Sequence, residues 1–280
     1  MNNDREGQVV TFYSFKGGTG RTMALANVAW ILAASGRRVL VADWDLESPG
    51  LHRFFHPFLD AEAIQGTSGV IDMIRDYEWE TTRVDDRPDR WMEQYARVGR
   101  HAFSLRWSFP DGGGLDFLSA GRQNSDYAVS VSGLDWDNFY NRLGGAQFFE
   151  ALRADMKRQY DFTLIDSRTG LSDVADICTL HLPDTLVDCF TLSDQGIDGA
   201  ARWRLGTRPV PAAGHPRPAG ADACRPGREG AGRGGPSAGH APVRRAAGRH
   251  DRGGTATVLG RGRGPVPAVL RVRGDAGDVR

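Results

Sequence analysis

The sequence predicts an α/β fold built on a parallel sheet over residues 1–200, and three observations carry that prediction. One apolar run ends in a glycine-rich turn and enters an amphipathic stretch. Two later apolar runs each end in aspartate. Strand-like and helix-like segments alternate between these landmarks, as a parallel sheet with helical crossovers requires. The runs are continuously apolar rather than alternating, which suits strands covered on both faces.

The first element is Val9-Val10-Thr11-Phe12-Tyr13, followed by the turn Phe15-Lys16-Gly17-Gly18-Thr19-Gly20-Arg21-Thr22. Leu25, Val28, Ala29 and Leu32 then recur at helical spacing. A strand that hands over to a helix through glycines presents backbone N–H groups at the positive helix end, and that arrangement attracts a polyphosphate. Gly17, Gly18 and Gly20 let the backbone wrap without obstruction, Arg21 can reach the outer phosphates, and the Thr22 hydroxyl is placed for Mg²⁺. The alternative is a glycine-rich turn that binds nothing.

The second strand, Arg38 to Asp45, runs into the pair Asp43-x-Asp45 at the strand end where ligands sit in open α/β sheets. Either acid could instead cap the turn Leu46-Glu47-Ser48-Pro49-Gly50. The third run, Tyr160 to Asp166, continues into Ser167-Arg168-Thr169-Gly170. Between them the pattern predicts a helix over Ser68–Arg75, a strand over Leu115–Ser119 and a helix over Gln147–Gln159. Beyond them it predicts a helix over Ser172–Leu182, a strand over Thr185–Leu192 and a helix beginning near Gly196. Residues 76–113 are less regular and read as an insertion or lid, with Trp79, Trp91 and Trp107 forming a satellite core rather than a ligand cage.

The KGGxGR loop resembles that of the ParA/MinD-type deviant Walker A ATPases, of the CobQ/CobB/MinD/ParA nucleotide-binding group, in which a lysine stands at the front of the loop. That resemblance implies a SIMIBI-like P-loop NTPase fold in which Gly17, Gly18, Thr19, Gly20, Arg21, Thr22 and Met23 bind ATP. Lys16 would reach across a homodimer interface formed in the presence of ATP. Asp43 would be an outer-shell magnesium ligand, and Asp45 would position the attacking water. The apolar run ending in Asp166 reads as Walker B, holding Mg²⁺ through water. Asp166, Ser167 and Gly170 match the family's Asp-Ser-x-x-Gly turn, with Gly170 near the terminal phosphate. The metal set is then Thr22, Asp43 and Asp166, and the catalytic set Asp45, Lys16 and Arg21. The sequence departs from the family where Arg21 replaces lysine, since a planar fork is no equivalent of an ammonium, and where Met23 replaces a second hydroxyl residue. The loop together with DWDLExPGL is also similar to bacterial multidomain proteins in which such a module precedes tetratricopeptide repeats.

The net charge of zero conceals two compositions. Residues 1–200 carry 19 Lys and Arg against 30 Asp and Glu, whereas residues 201–280 carry 16 Arg against five acids. Gly, Ala, Arg and Pro supply 56 of the last 80 residues, a stretch without Lys, Ile, Phe, Tyr, Met, Asn or Gln. It cannot bury enough apolar surface to offset its chain entropy and is expected not to fold on its own. From Pro209 onward, every residue except Cys224, Ser237, Thr255 and Thr257 can be encoded by a codon starting with G or C. That bias follows if the wobble base of a GC-rich gene has been moved into first codon position. We therefore read the tail as an out-of-frame, non-native segment that truncates the fold before its base-recognition residues. A nucleic-acid-binding arm and an inert tail are the alternatives.

Cys178, Cys189 and Cys224 form no even framework, and His52 and His56 have no third ligand candidate nearby, so neither set suggests a metal site. No signal peptide or bilayer-length apolar stretch is evident, which points to a cytoplasmic protein with no membrane partner. The function expected is an ATP-driven dimeric switch dependent on Mg²⁺. The alternatives are a nucleotide-bound scaffold with little hydrolysis and a DNA-associated partitioning ATPase.

Overall fold

A computed structural model describes residues 6–83, 88–170, 177–206, 257–259 and 268–274. At its centre lie five parallel strands: β1 (Gln8–Tyr13), β2 (Arg38–Asp43), β4 (Gly114–Leu118), β5 (Phe162–Asp166) and β6 (Thr185–Thr191), in the order β4-β2-β5-β1-β6. A short strand β3 (Ala102–Ser104) pairs antiparallel outside β4. Each central strand splits its side chains between two apolar clusters. In β2, Val39 and Val41 face one side while Leu40 and Ala42 face the other, and all four are fully buried. Covering both faces explains why these strands read as unbroken apolar runs.

One face packs on α1 (Arg21–Ala34) through Leu25, Ala26, Ala29 and Ala33. The helix stops in a Schellman arrangement: the Arg37 N–H donates to the Leu32 carbonyl and the Gly36 N–H to that of Ala33, both 3.1 Å. On its outer side, Trp30 lies 4.8 Å from the Phe58 ring, 5.0 Å from Phe109 and 5.7 Å from Trp107.

The other face is aromatic. Helices α4 (Val70–Arg83), α6 (Trp136–Asn141) and α7 (Gly145–Gln159) bring Tyr77, Phe139, Phe148 and Phe149 against Leu40, Ala42, Leu118 and Ile165. Short helices α2 (His52–Phe55), α3 (Ala61–Gly66) and α5 (Tyr127–Ser132) complete the connections up to this point. The described residues of the segment 76–113 are more regular than its composition suggests. The helix expected over Ser68–Arg75 runs as Val70–Arg83, because Tyr77 extends its apolar stripe into the core. Nor do the tryptophans make a satellite cluster of their own. Trp91 stacks on Tyr77 at 5.0 Å and joins the aromatic face, Trp107 joins the α1 side, and Trp79 is exposed with the Arg83 guanidinium over its ring.

After β5 the helix expected over Ser172–Leu182 falls partly outside the described residues; its second half, Ile177–His181, is a π-helical turn. The helix after β6 is α8 (Asp194–Gly206). Most of residues 201–280 lies outside the described residues, but two segments of that tail form strands. β8 (Ala268–Gly274) pairs antiparallel along the whole of β6, and β7 (Thr257–Leu259) pairs with β8. Ala-Val-Leu-Arg-Val-Arg alternates as a strand does, and the open edge of β6 offers unpaired backbone groups to any such segment. Isolated folding and templated pairing are different things, and the composition spoke only to the first.

Candidate functional site

The C-terminal ends of β1, β2 and β5 converge on one patch, and each contributes a residue singled out in the sequence. Asp43 and Asp166 end adjacent strands as register partners, and the turn after β1 leads directly into α1. Gly18 and Gly20 of that turn have φ of 78° and 82°, the left-handed region that glycine enters without strain. Gly20 sits at the N-cap position of α1, and no side chain caps the helix, so its first N–H groups are left to an external acceptor. A Cβ built on Gly17 or Gly18 would meet nothing within 4 Å, so the loop borders open space.

Beneath the loop, Arg21 and Thr22 both point at Asp166. The Arg21 Nε donates to Asp166 Oδ1 at 2.6 Å and the Thr22 hydroxyl to Oδ2 at 2.8 Å. Arg21 Nη2 lies 3.7 Å from Asp45 Oδ2, so the guanidinium spans both acids. Arg21 is only 6% exposed, and its Nη1 is buried with no hydrogen-bond partner among the described residues. A buried guanidinium arm without an acceptor is unfavourable unless something supplies one. Ser14 Oγ, at the end of β1 just before the loop, is likewise buried without a partner.

Asp43 is 1% exposed and holds the following turn. Its Oδ2 accepts the Gly50 and Leu51 N–H groups, each at 3.0 Å, and its Oδ1 accepts that of Asp45 at 3.3 Å. The turn-capping alternative therefore describes what Asp43 contacts. Burial, reinforced by the Asp166 charge and opposed by these N–H groups, pushes the Asp43 carboxyl up to about 7. Burial also raises Asp45 and Asp166, while the Arg21 charge pulls both back. Asp45, half-buried at the rim, accepts the Ser48 N–H at 3.3 Å.

The structure brings Arg21, Thr22, Asp43, Asp45 and Asp166 together. Lys16 and Met23 stand apart, both exposed on the loop side, and Lys16 makes no ion pair among the described residues. Thr19 is buried within the loop. Gly170, with φ of 80°, is tied to the end of β1: its carbonyl accepts the Tyr13 hydroxyl at 3.2 Å, and its N–H donates to the Ser14 carbonyl at 3.4 Å.

Three supporting contacts escaped the sequence reading. Arg168 pairs with Glu47 and ties the turn after β5 to the turn after β2. Tyr127, from α5, donates to the Leu46 carbonyl at 2.7 Å. Trp44, between the two acids, is fully buried and lies 6.3 Å from the Phe149 ring. Glu47 and Arg168 were visible as opposite charges beside the motifs, but no sequence spacing pairs residues 121 positions apart.

These residues fit a phosphate with its cation. The loop offers backbone donors and an unpaired guanidinium arm, and Asp166 already accepts a hydroxyl suited to a cation shell. Among the described residues, no group of three or more His, Cys, Asp or Glu is arranged to hold a metal alone.

Comparison with known proteins agrees with this chemistry. Residues 10–182 match the family model described as the CobQ/CobB/MinD/ParA nucleotide binding domain. The sequence matches no curated protein. Among solved structures, the chain is similar to the septum site-determining protein MinD of Pyrococcus horikoshii complexed with Mg-ADP, at 18% identity and a TM-score of 0.42, over 71% of this chain and 65% of that one. It is similar to apo McdA of Cyanothece at 17% identity and a TM-score of 0.44, over 71% and 64%. It is also similar to pNOB8 ParA bound to nonspecific DNA, at 19% and 0.46, over 76% and 62%. The chain thus spans a little under two-thirds of each of these proteins.

Proposed function

This chain belongs to the CobQ/CobB/MinD/ParA nucleotide-binding domain family, and on that premise we propose that residues 8–200 bind ATP with Mg²⁺ and hydrolyse it as an ATP-driven dimeric switch. The observation that carries the reading is the buried, unpartnered Arg21 Nη1 under a loop whose glycines border open space. In this reading Gly17 to Met23 wrap the phosphates with backbone N–H groups at the start of α1. Thr22 and Asp166 would hold the cation, with Asp43 behind them, and the bound Mg²⁺ would supply positive charge to the outer phosphate oxygens.

Asp45 orients the attacking water from the half-buried rim of the site, where the Arg21 charge opposes the upward pull of burial on its carboxyl. Lys16, exposed at the front of the loop, is available to a second copy's nucleotide. Gly170, linked to the end of β1, lets the turn after β5 follow the terminal phosphate.

Calorimetry with ATP and Mg²⁺ tests the binding, and phosphate release tests the chemistry. Saturable uptake of ATP, lowered at least tenfold by Thr22→Ala, is expected, with turnover lost in Asp45→Ala. No uptake of ATP or GTP by folded protein would end the reading.

A second reading, a switch that binds and dimerises with hardly any hydrolysis, is favoured by the tie of Arg21 to two acids. Under it, ATP-dependent dimerisation survives in Asp45→Ala and phosphate release is negligible even in the parent protein. The nucleic-acid alternative rests on the Arg-rich residues 202–280, most of which lie outside the described residues.

A further inference from the structure

Arg21 is the only buried Lys or Arg among the described residues, and it sits where negative charge is densest. Asp166 and Asp45 face it directly, and Asp43 lies beside Asp166 on the neighbouring strand. Arg168 acts on Asp45 from the rim, where it is already paired with Glu47. The remaining cation of the motif, Lys16, is exposed on the loop.

A buried guanidinium persists only if its charge is compensated, and buried carboxylates have the same requirement. Here each supplies what the other lacks. A lysine at this position would be a point charge able to satisfy one acid; the planar fork of arginine reaches both. Nε goes to Asp166, Nη2 lies toward Asp45, and Nη1 stays uncommitted.

We propose that Arg21 is the resident counter-cation of the Asp45–Asp166 pair in the nucleotide-free protein, keeping divalent cations off Asp166 until a phosphate draws the guanidinium away. The uncommitted arm makes the first phosphate contact, and transfer of the rest of the fork frees Asp166. Phosphate and cation then load together, because each removes an obstacle to the other, and the coupling is reciprocal. The replacement of lysine is, on this account, a device that ties cation binding to nucleotide binding. The inference builds on the nucleotide-binding reading above, but its key test needs no nucleotide.

Mn²⁺ binding to nucleotide-free protein, followed by the loss of free-ion EPR signal, reads the lock directly. The parent protein is expected to bind Mn²⁺ weakly. Arg21→Ala is expected to bind it at least about tenfold more tightly, since removing one buried positive charge leaves two acids uncompensated. Adding Asp166→Asn to Arg21→Ala should abolish the gain. Should Arg21→Ala fail to fold, Arg21→Lys carries the test: it retains one contact, and an affinity between those of the parent and a fully released site is expected. Equal Mn²⁺ affinity in the parent and in whichever variant folds overturns the proposal. Titration of the parent with a fluorescent ADP analogue is run alongside. Failure there sinks the nucleotide reading while leaving the Mn²⁺ result to stand or fall separately.

Discussion

The two faces of the sheet are filled on opposite principles. Toward α1 the helix contributes Ala26, Ala29 and Ala33 beside Leu25, so helix and strands approach closely. Toward α4 and α7 the space is filled by Tyr77, Phe139, Phe148 and Phe149, with Tyr77 and Phe148 centred 4.7 Å apart. The difference shows how the site is gripped from both sides. The close-packed face fixes the start of α1, and with it the phosphate loop. The bulky face anchors Trp44 and Leu46, while Leu51 and Phe55 cross to the α1 side. The turn carrying Asp43 and Asp45 is therefore pinned through both cores.

The sharpest way to break this contrast is to change volume in opposite directions. Phe149→Ala should destabilise by about 3–5 kcal/mol in denaturant unfolding, since truncating a fully buried ring leaves a cavity. It should also loosen Trp44, so nucleotide affinity falls in protein that remains folded. On the other face enlargement is the harmful change: Ala29→Leu should destabilise by about 1–3 kcal/mol through overpacking. If Ala29→Leu proves neutral, the α1 face is not closely fitted and the comparison fails.

A pH series separates polar from apolar support. The Asp43 pKa is raised from 3.8 to about 7 in the fold, so its stabilising contribution is complete below the unfolded value and is lost as pH rises through about 7. Asp45 and Asp166 shift the same way. The half-buried histidines His52, His101 and His181 are lowered by desolvation, so their stabilisation instead disappears as pH falls through their unfolded value. The melting temperature of nucleotide-free protein should therefore decline as pH rises toward about 7 and level off above it, and Asp43→Asn should flatten that decline. A flat parent profile would show that Asp43 is not held uncharged. The smallest effect concerns Tyr127→Phe, which deletes one hydroxyl bond to the Leu46 carbonyl and should destabilise by about 0.5–1.5 kcal/mol.

Much of the site was legible because it depends on short-range patterns. Glycines at 17, 18 and 20 between a strand and a helix dictate a wrapped loop whatever surrounds it. An apolar run ending in aspartate places Asp43 and Asp166 at strand ends. The middle of the chain was harder to read. Tyr77 continues the helical spacing of Val70, Met73 and Ile74, but the charged residues around it, Asp76, Glu78 and Glu80, mask that stripe in a reading by composition. The pairing of Ala268–Gly274 with β6 was not legible either, because a composition unable to fold alone says nothing about pairing with an edge already formed.

The sequence by itself determined the strand-loop-helix unit, the acids that close the second and third apolar runs, and the split in composition at about residue 200. Each is written in contiguous residues, where backbone freedom and hydrophobic periodicity act locally. Only the tertiary structure decided that Arg21 lies between Asp45 and Asp166, that Asp43 is spent largely on its own turn, and that Tyr127 and Phe149 hold the acidic turn from outside. Those outcomes follow from which strands become neighbours. Placing β5 between β1 and β2 is what brings charges 145 positions apart within hydrogen-bonding distance.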